Sequence, residues 1–263
     1  MVAIALFAIL ITMISPFFGQ IFVVGIIGKN LIENKKVSTY FSLVSVVIIT
    51  LVALKFLTFI VAINLAMVMI ITPYIFVIVF KHINNVEGAV ISGGLLNVIY
   101  GFIMNFLVKK YYMDDIKSTF VYIRKGIENN NYSADTTNLM MNNMIKIEYV
   151  FTEYLSSIWS FFMILAVFFG AIILSKRTEE ISWDFSKIRW PFHSIYVLII
   201  GLFLALYPVT FQFGLKFLII MITLYLTQGI SILSYYWKDY FIRSKFLLTI
   251  LIIAILFNPI LIL

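Results

Sequence analysis

Long apolar runs, separated by short polar segments, occupy most of the 263-residue chain. A transmembrane helix needs about 20 apolar residues to cross a hydrocarbon core of roughly 30 Å. The run 37–80 is too long for one crossing and predicts two helices that turn near Lys55. The pattern predicts an all-α, polytopic transmembrane helical bundle of about eight spans from these runs: 2–28, 37–80, 88–108, 154–175, 192–208, 214–236 and 246–263.

The first run, 2–28, is interrupted at Ser15 and Pro16. A proline inside a helix removes a backbone hydrogen bond and bends or ends the helix. The run therefore predicts either one kinked span or a span followed by a short half-helix. It has neither the basic start nor the small-residue cleavage site of a signal peptide, which predicts a retained helix.

Composition supports the same class of protein. Hydrophobic residues make up 63% of the chain and charged residues 12%, with a mean hydropathy of +1.07. A soluble globule of this length still exposes about a quarter of its surface to water, which excludes a soluble enzyme domain. With no cysteine, disulfides and thiolate metal sites are excluded. The expected partner is the lipid bilayer, and no nucleic acid is expected.

The distribution of Lys and Arg predicts an orientation. Four loops (29–36, 81–87, 176–190 and 238–245) hold eleven of the nineteen basic residues. These loops share one side if 109–153 crosses no membrane, and basic loops face the cytoplasm. We expect a multi-pass protein of a bacterial cytoplasmic (inner) membrane.

The segment 109–153 is more polar than the rest. Ile116, Phe120, Ile123 and Ile127 recur at helical spacing, with charged residues between them. This pattern is typical of an amphipathic helix at a membrane interface. We therefore expect a single integral membrane domain, 1–263, in which 109–153 is an amphipathic interfacial or extramembrane insert.

The sequence offers little for catalysis. The apolar runs contain no Asp, Glu or Arg, which intramembrane proteases and carboxylate-coupled carriers require. His82 and His193 have no partners at metal-ligand spacing, and the nucleotide-binding, zinc and serine-hydrolase motifs are absent. We expect no enzymatic activity, catalytic residue, metal or cofactor.

Uncharged polar residues within the spans are the candidate site. Gly94, Asn97, Gly101 and Asn105 share one helix face, and Thr223, Thr227, Ser231 and Ser234 form a second stripe. Gln20 follows the Pro16 break. Such stripes join helices closely in many bundles, and the same amides could instead line a cavity for a small polar solute. The candidate ligand-binding residues are Asn64, Asn97, Asn105 and Gln228.

The loop 181–192 mixes acid, base and tryptophan directly before a span. One interpretation is a membrane anchor, with Trp190 among the headgroups and Pro191 opening the helix. The other is a docking loop for a membrane or cytoplasmic protein partner, formed by Asp184, Arg189 and Trp190.

Phe185, then Trp190-Pro191, and later Gln228-Gly229 ahead of Lys238 form a pattern at the start and end of the late spans. In this pattern, residues 150–255 resemble the YybS-like family of predicted multi-pass bacterial membrane proteins, whose function is unknown. The layout also looks broadly like the substrate-binding S components of energy-coupling-factor transporters and like the rod-shape protein MreD. The first helix lacks the Ala-x-x-x-Ala spacing of S components, since its alanines are Ala3, Ala5 and Ala8.

The polar stripes on apolar spans favour the first of two alternative functions, and the segments 109–153 and 181–192 favour the second. One is non-enzymatic binding or transport of a small solute, as in S components. The other is a scaffold or assembly partner of the cell envelope without a ligand cavity, as in MreD.

Overall fold

The computed structural model describes residues 2–33, 37–130, 132–178, 190 and 194–236. These residues form eight helices, and none of them lies in a strand. The helices are α1 (Val2–Ile14), α2 (Pro16–Ile32), α3 (Val37–Ala53), α4 (Phe59–Ile83), α5 (Val86–Glu128), α6 (Ala134–Arg177), α7 (Ser194–Leu206) and α8 (Phe211–Tyr236).

Four of these helices are long and apolar enough to cross a membrane. They are α4, the Val86–Leu107 part of α5, the apolar part of α6, and α8. The other four have between 13 and 17 residues. Length and composition alone therefore identify four candidate spans in the described chain.

Capping side chains mark the starts of α4 and α5. Thr58 accepts a hydrogen bond from the backbone N–H of Val61 at the start of α4, and Lys55 just before it adopts a left-handed backbone (φ 59°). Asn85 caps α5 by accepting from the N–H of Glu87 at 2.8 Å. These side chains satisfy backbone donors that a helix start leaves unpaired. The predicted division of run 37–80 near Lys55 is confirmed.

The first apolar run folds back on itself at Ser15. Ser15 has an extended backbone (φ −151°, ψ 109°), and Pro16 follows as the first residue of α2. The rings of Phe7 in α1 and Phe22 in α2 pack edge to face with centroids 5.4 Å apart. The run is therefore a tight hairpin of two helices, which differs from both arrangements that the sequence left open.

α6 is the helix around which the bundle packs. A Cβ on Gly170 of α6 would lie only 2.7 Å from Val24 Cβ of α2, and one on Gly25 would lie 3.1 Å from the Gly170 carbonyl oxygen. α5 approaches α6 closely through Gly93, Gly94 and Gly101. α2 runs parallel to α6 and α5 antiparallel to it, as the order of these contacts shows. Small residues at these positions let the helix axes come close together.

The polar segment 109–153 belongs to α5 and α6, which continue beyond the apolar part of the bundle as an antiparallel pair. The Arg124 guanidinium contacts the Glu148 carboxylate at 2.8 Å. The Lys109 amine lies 3.6 Å from the Glu153 carboxylate. The apolar stripe of α5, including buried Phe120, lies on the side that meets α6. We name 109–153 the helical extension; its position relative to a bilayer stays a prediction.

The basic ends of three loops meet at the opposite end of the bundle. The Lys29 amine donates to the Arg177 carbonyl at 3.0 Å, and the Lys81 amine donates to the Leu31 carbonyl at 3.3 Å. Three of the four basic loops therefore have residues at the same end of the bundle: 29–36, 81–87 and 176–190. The predicted orientation requires these loops to share one side. The fourth basic loop, 238–245, lies outside the described residues.

We expect Gly170→Ala to lower the free energy of unfolding by about 1–3 kcal/mol, because the added methyl group forces α2 away from α6. Gly229→Ala is the matched control, since a Cβ on Gly229 meets nothing within 4 Å. This control should be neutral or slightly stabilising. Thermal unfolding in mild detergent measures both, and equal stability of the two variants would contradict the close α2–α6 contact.

Candidate functional site

Three fully buried polar residues lie on α2, α4 and α5, helices that contact one another or α6. They are Gln20, Thr72 and Asn97, each 0% exposed. The Asn97 amide nitrogen donates to the Thr72 hydroxyl at 3.3 Å and to the Gly93 carbonyl at 2.9 Å. The Asn97 amide oxygen is buried without a hydrogen-bond partner. We name Gln20, Thr72 and Asn97 the polar layer.

Gln20 is the least satisfied residue of the polar layer. Both its amide oxygen and its amide nitrogen are buried and have no hydrogen-bond partner. An unsatisfied buried polar group costs about 1–3 kcal/mol, and a whole amide carries more than one such group. A bound molecule with complementary donors and acceptors would remove that cost.

Contacts with α6 give the relative depths of Gln20 and Asn97. Phe17 of α2 lies beside Phe162 of α6, and Val24 lies beside Gly170, so Gln20 falls near the middle of this stretch. Gly94 of α5 meets Ile164 of α6, and Asn97 is one turn further along α5. Measured along α6, Gln20 and Asn97 are therefore separated by about one helical turn.

Two of the three helices that carry the layer, α2 and α4, contain a π-helical turn next to it. The turn Val23–Ile27 begins three residues after Gln20, and the turn Met67–Ile71 ends directly before Thr72. The Tyr40 hydroxyl donates to the Met69 carbonyl within the second turn, at 3.3 Å. π-Helical turns interrupt the regular hydrogen-bond ladder and occur often at functional sites.

Asn64 and Tyr100 extend the polar contacts toward the helical extension. The Tyr100 hydroxyl donates to the Asn64 amide oxygen across the α4–α5 interface. The Tyr100 ring packs near that of Trp159, with centroids 6.1 Å apart. Asn105 is half-buried two turns beyond Asn97 on α5. Three of the four predicted ligand-binding residues thus lie on the α4–α5 pair.

An apolar groove of about 450 Å³ opens beside these contacts. It lies at the α1–α2 turn, and Ser15, Phe17, Trp159 and Phe162 are among its lining residues. Phe17 is one helical turn before Gln20, so the groove ends close to the polar layer. The Trp159 indole N–H is buried and has no hydrogen-bond partner.

Gln228 lies on a different helix from the residues of the polar layer. It is half-buried on α8, which packs against α6 and α7. The stripe Thr223, Thr227, Ser231 and Ser234 is buried, as its spacing predicts. Thr223 donates to the Ile219 carbonyl of its own helix at 2.8 Å, and Ser234 donates to that of Ser231 at 2.7 Å. The structure thus favours close helix packing as the role of this stripe.

Trp190 is buried rather than exposed. It is 9% exposed, and its indole N–H donates to the Leu224 carbonyl at 2.6 Å and to the Thr227 hydroxyl at 3.1 Å. This side chain anchors the start of the α7–α8 hairpin onto α8 and has little surface for a partner. Asp184 and Arg189 lie outside the described residues, so the docking hypothesis for the loop stays a prediction.

Gln20 and Thr72 are not among the residues that the sequence predicts to bind a ligand. A glutamine in an otherwise apolar run, one turn after a proline break, is the signal that points to Gln20. Thr72 gives a weaker signal, because a threonine hydroxyl can bond its own helix anywhere in a span.

The site can form neutral hydrogen bonds. In the described parts of α1 to α6, charged side chains lie near the bundle ends or in the helical extension, away from the polar layer. The described residues contain no group of three or more His, Asp or Glu that could hold a metal ion.

No family model matches the chain, and no curated protein or solved structure shows significant similarity to it. The resemblance to the YybS-like family therefore stays a prediction.

Trp190→Phe and Trp159→Phe provide a matched pair of substitutions. We expect Trp190→Phe to lower the free energy of unfolding by about 1 kcal/mol more than Trp159→Phe, since only Trp190 loses hydrogen bonds to the chain. Thermal unfolding of both variants in the same detergent measures the difference. A larger loss for Trp159→Phe would show that its N–H has a partner in the folded protein.

Proposed function

We propose that this protein is a non-enzymatic membrane protein that binds or moves a small polar solute. The observation that carries the proposal is Gln20, which is fully buried with both amide atoms unpartnered. The unpartnered Asn97 oxygen and the two adjacent π-helical turns support it. Solute binding would require neither a cofactor nor a metal.

We also propose that each of the eight described helices traverses most of the membrane; the predicted span 246–263 lies outside the described residues. Each of the four shorter helices packs against at least one longer helix, and local thinning of the bilayer would accommodate their length. The basic end, with Lys29 and Lys81, would face the cytoplasm of a bacterial cell. The helical extension, 109–153, would then lie on the opposite side of the cytoplasmic membrane.

Single cysteines test this orientation, because the chain has none of its own. We expect Tyr122→Cys, in the helical extension and 79% exposed, to react with a membrane-impermeant maleimide in intact cells. We expect Lys81→Cys, at the basic end, to react only after the cells are lysed. The reverse pattern would invert the proposed orientation, and labelling of both sites in intact cells would contradict it.

Gln20→Met tests the solute site. Methionine has a similar size and no hydrogen-bonding demand, so the empty protein should be equally stable or more stable by about 1–3 kcal/mol. Native mass spectrometry of protein released in mild detergent should show a small-molecule adduct on the wild type and none on Gln20→Met. Gln228→Met, away from the polar layer, is the matched control and should keep the adduct.

An adduct that persists in Gln20→Met would place the solute elsewhere. A wild type without any adduct, together with a more stable Gln20→Met, would leave Gln20 as a residue that costs stability without binding a solute.

A scaffold of the cell envelope is the second candidate, and the helical extension favours it. A groove of about 560 Å³ opens between α5 and α6 near the tip, lined by Tyr122, Tyr132 and Met140 among others. Tyr122 and Leu139 are 79% and 63% exposed there. A protein subunit retained in the same native mass spectra, and lost on Tyr122→Ala, would favour this function.

A further inference from the structure

We infer that the solute of the polar layer is an uncharged molecule with a compact amide-like group, which offers both a donor and an acceptor. This inference rests on the proposed function and adds the chemical class of the ligand. It depends on which groups in the layer are unpartnered and on where the charges of the chain lie.

The first step concerns hydrogen bonds. Gln20 leaves one acceptor oxygen and one N–H₂ donor unpartnered, and Asn97 leaves one acceptor oxygen. The Asn97 nitrogen and the Thr72 hydroxyl already bond each other. A ligand that satisfies the free groups must therefore donate to carboxamide oxygens and accept from the Gln20 amide nitrogen.

The second step concerns charge. No charged side chain of the described α1, α3 or α7 could compensate an ion, since these helices carry none. The charged residue of α2 is Lys29 and that of α4 is Lys81. Both lie at the basic end of the bundle. In α5 and α6 the charges nearest the apolar part are Glu87, Lys109, Glu153 and Lys176.

The third step follows from burial. Moving an uncompensated ion into an apolar core costs far more than moving a neutral polar group, because the low dielectric leaves its charge unscreened. Carboxamides can satisfy hydrogen bonds but supply no net charge. The polar layer thus favours a neutral solute over an anion or a cation of the same shape.

The shape of the ligand group follows from the same atoms. A primary amide presents N–H donors and a carbonyl acceptor in one plane, which complements the donor and acceptor of a carboxamide side chain. Gln20 and Asn97 are both 0% exposed, so the ligand group that we infer is a compact one.

Three planar isosteres test the inference on the full-length protein in detergent: acetamide (neutral), acetate (anionic) and acetamidinium (cationic). Each has four non-hydrogen atoms, so the tightest dissociation constant to expect is on the order of tens of micromolar. The thermal unfolding midpoint is measured with each probe up to about 50 mM, where a bound ligand stabilises the folded state by mass action.

We expect acetamide to raise the midpoint of the wild type and of Gln228→Met, and to leave that of Gln20→Met unchanged. Acetate and acetamidinium, added as salts at matched ionic strength, should raise none of them. The wild-type comparison of the three probes is decisive by itself, even if Gln20→Met fails to fold.

A rise with acetate or acetamidinium that disappears in Gln20→Met would overturn the neutral class while leaving solute binding at this site intact. No rise with any probe would overturn the inferred amide-like class, and the native mass spectra would still decide whether another solute is bound. An equal rise in wild type and Gln20→Met would show that acetamide acts away from the polar layer.

Discussion

The close contact between α2 and α6 determines the depth at which the other helices pack. Gly25 and Gly170 face each other so tightly that a Cβ on either would overlap the opposite helix. In a bilayer, lipid tails are as apolar as the side chains, so close packing and hydrogen bonds between helices contribute most of the stability. α5 meets α6 by the same means, through Gly93, Gly94 and Gly101. α6 thereby holds α2 and α5 on separate faces, and both of these helices also contact α4.

This tight packing also explains why the polar layer has a cost. Gln20 is held in the core by the residues around it in α2, so its amide has no access to water. A protein under selection for stability alone would gain from an apolar residue there. The π-helical turns beside Gln20 and Thr72 are also typical of functional sites. Both features support our proposal that the buried amide of Gln20 binds a solute.

The two described tryptophans show how similar residues take different roles. Trp190 uses its N–H within the chain and fastens the segment before α7 to α8. Trp159 packs beside Gly101 and Tyr100, and its buried N–H stays free next to the apolar groove. Hydrogen bonds such as those of Trp190 hold the bundle together. An unpartnered group such as the Trp159 N–H is one that a bound molecule could use.

Local pattern alone determined the all-helical fold class, the break near Lys55 and the inward orientation of the α5 and α8 polar stripes. These features depend on the apolar period and on turn residues within a few positions of each other, which a single sequence displays directly. The sequence could also predict that Asn97 is buried. Only the tertiary structure decided that Asn97 bonds Thr72, that Gln20 has no partner, and that 109–153 forms an antiparallel pair. Those outcomes depend on which helix faces meet, and that is set by contacts between residues far apart in the chain.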